Sequence, residues 1–203
     1  MVRFQTRHPD KIPRGTALLI LASFGLTLFV FGPGTVYLTN ADEFINTYQD
    51  MLLWGTILAL ACSLILAALL LGLKAGGAAL YEKSLALIFA IGLLLWLQGN
   101  FLLREYGPLD GRAIPWSKMA RFGYLDGAIW LGGLAAAVIL SRFVVRNART
   151  ICLFLLIIQL GHAVVLWSQN PQSANFKKYS ISVADQFLFS KRRNVIILVL
   201  DSF

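Results

Sequence analysis

Charged side chains are scarce in this sequence. Asp, Glu, Lys and Arg make up 14% of its 203 residues, where ordinary globular chains carry about 25%. A soluble domain of ordinary surface is thereby excluded. Cysteine is almost absent as well. Cys62 and Cys152 both lie inside apolar runs, which fits buried, reduced thiols rather than halves of a disulfide. Cysteines and histidines at metal-ligand spacing are missing. His8 and His162 have no second ligand near them in sequence, so neither is expected to bind metal. An internal repeat is also lacking, which argues against a transporter built from two matched halves.

What the chain has instead is apolar length. It is 58% hydrophobic, with a mean hydropathy of +0.70. Long uncharged runs dominate over amphipathic ones, and these mark a polytopic membrane protein. A net charge of +8 would suggest nucleic acid in a soluble chain. Here the basic residues cluster in short segments between apolar runs, so topology and anionic lipid headgroups explain them, and no nucleic-acid partner is expected.

Five spans follow from the runs. Residues 15–41 carry no charge until the acidic loop of Asp42, Glu43 and Asp50. The run is longer than a signal-peptide core, and an uncleaved first span is expected. The second span covers residues 51–73 and the third 84–103, with a turn holding Lys74 and Lys83 between them. Residues 104–126 form a loop with the turn signals Gly107-Pro108, Asp110-Gly111 and Ile114-Pro115. The fourth span is weak. Only residues 127–141 are free of charge, short of the roughly 20 needed. Snorkelling by Arg142 would let residues 143–145 extend it. The fifth span covers residues 150–167.

Orientation follows from the early segments. Residues 1–14 hold Arg3, Arg7, Lys11 and Arg14, and the first loop holds no basic residue. The N-terminus is therefore expected in the cytoplasm and the C-terminus outside it. Trp54, Trp96, Trp130 and Trp167 then fall near the outer ends of four spans, as an interfacial belt requires. Gly123-x-x-x-Gly127, Gly132-Gly133 and residues 135–137 give span four a small face, expected to pack within the bundle rather than in a dimer.

Several polar residues are candidates for lipid or substrate contact. Gln98, Asn100, Gln159 and His162 interrupt the apolar runs. Gln159 and His162 are three apart, hence on one helical face. They would meet a headgroup or a proton path, or make a plain interhelical hydrogen bond, which is the favoured reading. Arg112 and Arg121, with Arg104 and Lys118, would draw anionic headgroups to the third loop. Lys177, Lys178, Lys191, Arg192 and Arg193 make residues 169–193 a basic linker.

The last ten residues, 194–203, read NVIILVLDSF. Six apolar residues lead into Asp201, the pattern of a buried parallel strand ending on a carboxylate. Functional groups of open α/β sheets sit at such strand ends. This stretch resembles the opening strand of the sulfatase and alkaline-phosphatase superfamily. The layout, five spans before an extracytoplasmic domain, is similar to that of lipoteichoic acid synthases and phosphoethanolamine transferases. The loop at residues 106–117 (YGPLDGRAIPWS) also resembles one found in membrane sulfatase-like proteins.

The resemblance implies an all-α polytopic membrane domain of five helices over residues 1–168. A basic linker follows at 169–193, and then the first strand of an α/β sulfatase-like domain at 194–203. It implies that Asp201 binds a divalent catalytic metal (zinc, manganese or calcium) in a longer parent. It also implies that the nucleophile comes later in sequence; Ser202 does not match it. The 203 residues by themselves are expected to bind no metal and to be inactive. The implied parent is a hydrolase or transferase acting on phosphate or sulfate esters of lipid headgroups or cell-envelope glycans, outside a bacterial cytoplasmic membrane. The alternative is a non-catalytic membrane protein that binds lipid or partner proteins.

Overall fold

Pro33 sets the shape of the first span. It has no N–H to offer the carbonyl of Phe29, and its ring would collide with that carbonyl in a regular helix. The helix widens instead. Gly32 N–H reaches back five residues to the Thr27 carbonyl, so a π-helical turn at Thr27–Phe31 separates α1 (Arg14–Leu26) from α2 (Gly32–Thr39). Such single-turn π insertions are the rare exception inside α-helices. The computed structural model describes Ile12, residues 14–41, Phe44 and residues 46–102 and 116–169. The remaining helices are α3 (Tyr48–Ala75), α4 (Ala78–Phe101), α5 (Trp116–Ile139) and α6 (Ser141–Gln169). Among the described residues there is no strand.

Local signals fix the helix ends. Thr47 and Asp50 close a reciprocal capping box on α3: the Asp50 N–H donates to Thr47 Oγ1, and the Thr47 N–H donates to Asp50 Oδ2. The chain reverses between α3 and α4 at Gly76 and Gly77. Gly77 adopts φ +122, a conformation costly for any residue with a β-carbon.

The helices alternate in direction. Ser63 Oγ donates to the Leu21 carbonyl at 3.1 Å, and Gly55 sits against Phe29, so α1 and α3 are antiparallel. Ser141 Oγ donates to Glu82 Oε1 at 3.0 Å near one end of α4. Trp130 Nε1 donates to Gln98 Oε1 at 3.1 Å near the other. Helix α5 therefore runs antiparallel to α4, and α6 turns back beside it. Helices α1, α4 and α6 share the core, where Ile20, Leu21, Leu85, Ala86, Ala148 and Cys152 are buried. Helices α3 and α5 flank it. Much of their leucine and isoleucine surface faces outward, including Leu53, Leu64, Leu71, Leu131 and Ile139. An apolar exterior of this extent suits hydrocarbon and not water.

Among the described residues, five helices are long and apolar enough to cross a membrane: Gly15–Thr39, Tyr48–Ala75, Ala78–Phe101, Ala120–Ile139 and Ser141–Gln169. The architecture is compatible with a multi-pass membrane protein. The expected span count holds, but the fourth span differs from the expectation. Helix α5 gains its length on the N-terminal side, taking in Arg121 and Asp126, and it ends at Ile139. Leu140 makes the turn, and Ser141 already begins α6. Arg142 therefore does not extend span four. Arg142, Arg146 and Arg149 lie in the first turns of α6. The reason is a tertiary contact: Ser141 is buried and held by Glu82 on α4, which fixes the corner one residue before the charge. The linker 169–193 (beyond Gln169) and the strand expected at 194–203 lie outside the described residues.

Candidate functional site

The polar groups inside the bundle gather along one seam. On α1, Thr16 and Ser23 are buried, and Thr27 continues the same face, at steps of seven and four. On α6 the buried stripe is Ser141, Val145, Ala148, Cys152, Leu155 and Gln159, a repeat of three and four that turns one face inward. The two faces meet at Gln159. Its Nε2 donates to Thr27 Oγ1 at 3.0 Å and, more weakly, to the Leu155 carbonyl at 3.4 Å. Gln159 is 6% exposed. In hydrocarbon such a group is costly without a partner, and Thr27 is the residue whose backbone carbonyl anchors the π turn. One turn down, Ser23 and Cys152 line a cavity with Phe24, Phe89 and Gly92. It is no larger than a single water molecule and is not a substrate pocket.

The other candidates have separate fates. Gln98 is half-buried and accepts from the Trp130 indole. Asn100 is exposed and donates to the Trp96 carbonyl of its own helix at 2.8 Å. His162 is exposed, so the face it was expected to share with Gln159 is split: one residue turns inward and the other outward. The favoured interhelical hydrogen bond is present for Gln159. Arg121 is exposed, with its guanidinium 4.8 Å from the Phe122 ring. It belongs to α5 and not to the loop expected there. Arg112 and Asp201 lie outside the described residues. Among the described residues no three His, Cys, Asp or Glu side chains could hold a metal ion, so the metal implied by the resemblance has no ligand set in the helices.

Three features were not anticipated from sequence. Helix α3 lies in close contact with the first span, where Gly25 meets Ala59 and Ser63, and Gly55 meets Phe29 of the π turn. The spacing Gly55-x-x-x-Ala59-x-x-x-Ser63 was the available signal. Span four's glycines behave otherwise. Gly133 packs on Leu94, but Gly123, Gly127 and Gly132 face open space, so most of the small face expected to pack in the bundle does not. At the end opposite the arginines, Tyr37 is 2% exposed. It stacks on Phe44 with ring centroids 5.0 Å apart, and its hydroxyl donates to the Asn46 carbonyl at 2.8 Å. That ring pins the connection between the first two spans. Trp54, Trp96, Trp130 and Trp167 sit toward this same end, at the start of α3, near the end of α4, beside Gln98 and near the end of α6. Comparison with known proteins finds no matching family, no similar characterised protein and no similar solved structure.

Proposed function

We propose that the helices anchor a metal-dependent, sulfatase-like domain at the outer face of a bacterial cytoplasmic membrane, and that this domain opens with residues 194–203. The observation that carries the reading is NVIILVLDSF, an apolar strand pattern ending on Asp201, placed after five spans and a basic linker. In this reading the N-terminus is cytoplasmic. The Trp-bearing end of the bundle faces outward, and the Lys74, Lys83 and Arg142 end faces inward. Asp201 supplies a hard carboxylate oxygen to zinc, manganese or calcium. The domain hydrolyses or transfers a phosphate or sulfate ester on a lipid headgroup or an envelope glycan. The bundle holds this chemistry at the membrane surface, where a lipid-linked substrate presents its headgroup.

The test is the native product, detected through an N-terminal tag in the source cell. A band far heavier than 22.5 kDa agrees with the reading. Asp201→Ala in that product should then lower both bound metal and ester cleavage. A band near 22.5 kDa, or unchanged metal content on substitution of Asp201, refutes it. Lipid or partner binding by the helices would then be the activity left to explain.

A further inference from the structure

We propose that the outer flank of α6 binds an anionic phospholipid, with its phosphate on Arg142, Arg146 and Arg149 and an acyl chain along Leu153 and Ile157. This site depends on the membrane-spanning helices and not on residues 194–203. The five positions follow steps of four, three, four and four, so they occupy one face of the helix. All five are exposed. The face changes from three guanidiniums to bare aliphatic surface within one turn, which is the profile of a phospholipid: charge first, then hydrocarbon.

Register makes the arginines more than a positive end. Arg142 and Arg149 differ in height by about 10 Å along the helix. Helix α6 cannot slide to bring both to the surface, because it is tied at two points. Ser141 holds Glu82 below, and Gln159 holds Thr27 above. Between them Val145, Ala148 and Cys152 are packed in the core. Arg149 is therefore kept ten residues, about 15 Å, below the buried Gln159–Thr27 pair, on a flank of exposed apolar surface. A guanidinium there needs an anion within reach of its side chain.

The described residues supply little of that anion. Among them, Glu82 is the carboxylate paired with this stripe. It lies 3.9 Å from Arg142 Nε and is already committed to Ser141. Arg146 rests 6.0 Å over the Phe143 ring, and it is exposed. Among the described residues, three planar forks stand against one shared carboxylate, an excess of positive charge. A phosphate matches the forks in geometry as well as in sign.

The experiment uses the full chain in nanodiscs of equal parts phosphatidylglycerol and phosphatidylcholine, with lipid retained on gentle release counted by native mass spectrometry. The wild type should retain phosphatidylglycerol in preference to phosphatidylcholine. Each arginine changed to Gln should weaken that preference roughly fivefold, the value of one basic residue at an anionic surface. Lys74→Gln with Lys83→Gln, at the same end of the bundle, should leave most of it. If Arg142→Gln or Arg149→Gln folds poorly, Arg146→Gln must still show its roughly fivefold loss. Equal retention of both lipids by the wild type overturns the proposal. So does an equal loss in the two-lysine variant, which would mean a diffuse field. Displacement of the lipid by excess inorganic phosphate would mean a phosphate site without a lipid, and overturns it as well.

Discussion

Gly55→Ala should destabilise the bundle, and the reason is one carbonyl. Pro33 removes the donor that would hold the Phe29 carbonyl within its own helix, and that oxygen lies where a β-carbon on Gly55 would be placed. Its neighbours at this point are backbone atoms of Phe29 and Val30, which cannot rotate aside. Helices α1 and α3 must separate, and overpacking of this kind costs about 1–3 kcal/mol. Gly25→Ala meets the same seam from the other helix. Its added carbon would stand 2.8 Å from the Ala59 carbonyl and 2.9 Å from Ser63 Oγ. Gly132→Ala is the control, since nothing lies within 4 Å of it. There the change removes only a poor helix former, and it should be neutral or stabilising by up to about 1 kcal/mol. The assay is reversible unfolding of the purified chain in mixed micelles, followed by helicity and tryptophan fluorescence. Gly55→Ala and Gly25→Ala combined should cost less than the sum of the two, because the first substitution already opens the seam the second needs. If Gly55→Ala is as stable as Gly132→Ala, the close approach of α1 and α3 is wrong.

Other outcomes follow from single contacts. Gln159→Leu and Thr27→Val should couple in a double-mutant cycle by about 0.6 kcal/mol, the mean for hydrogen bonds between membrane helices; zero coupling would deny the contact. Trp130→Phe should cost about 1 kcal/mol of stability, because the Gln98 oxygen loses its indole donor. Arg142→Ala should change stability by less than about 0.5 kcal/mol, because the side chain is 83% exposed and its pair with Glu82 is long. With Cys62 and Cys152 replaced by Ala, a cysteine at Asp50 should react with impermeant maleimide from outside the cell, and one at Lys83 should not. The reverse pattern would invert the proposed topology.

The span count and the buried role of Gln159 were legible in sequence, because both follow from how long or how strongly a residue resists hydrocarbon. Helix ends were less so. Thr47-x-x-Asp50 is a readable cap, yet Asp50 reads first as an acidic loop residue because charge weighs more than spacing in a hydropathy scan. The fourth span was misplaced for the same reason. Arg121 and Asp126 appear to forbid a helix at the membrane edge, while Arg142 looks able to snorkel from its end. What decides the corner is Ser141 on Glu82, a pair 59 positions apart in sequence. No local pattern contains that information.

The glycines show most clearly where sequence reading stops. Both Gly123-x-x-x-Gly127 and Gly55-x-x-x-Ala59 carry the spacing of close helix packing, and the first is the better match to the motif. Lipid tails are as apolar as leucine, so apolar surface alone does not choose which faces meet; close backbone approach and satisfied polar groups do. In the π turn the Phe29 carbonyl, left without the Pro33 donor, lies where a β-carbon on Gly55 would stand, and only a residue without a β-carbon can lie against it. Gly55 supplies that surface on α3, with Ala59 and Ser63 continuing it, and Ser63 Oγ adds bonds to the Leu21 and Ala59 carbonyls. Gly123 and Gly127 have no displaced carbonyl opposite them, and they stay on the exterior. A small-residue motif therefore marks a capacity for contact. The partner is chosen by the defect it has to accommodate, and here that defect is Pro33.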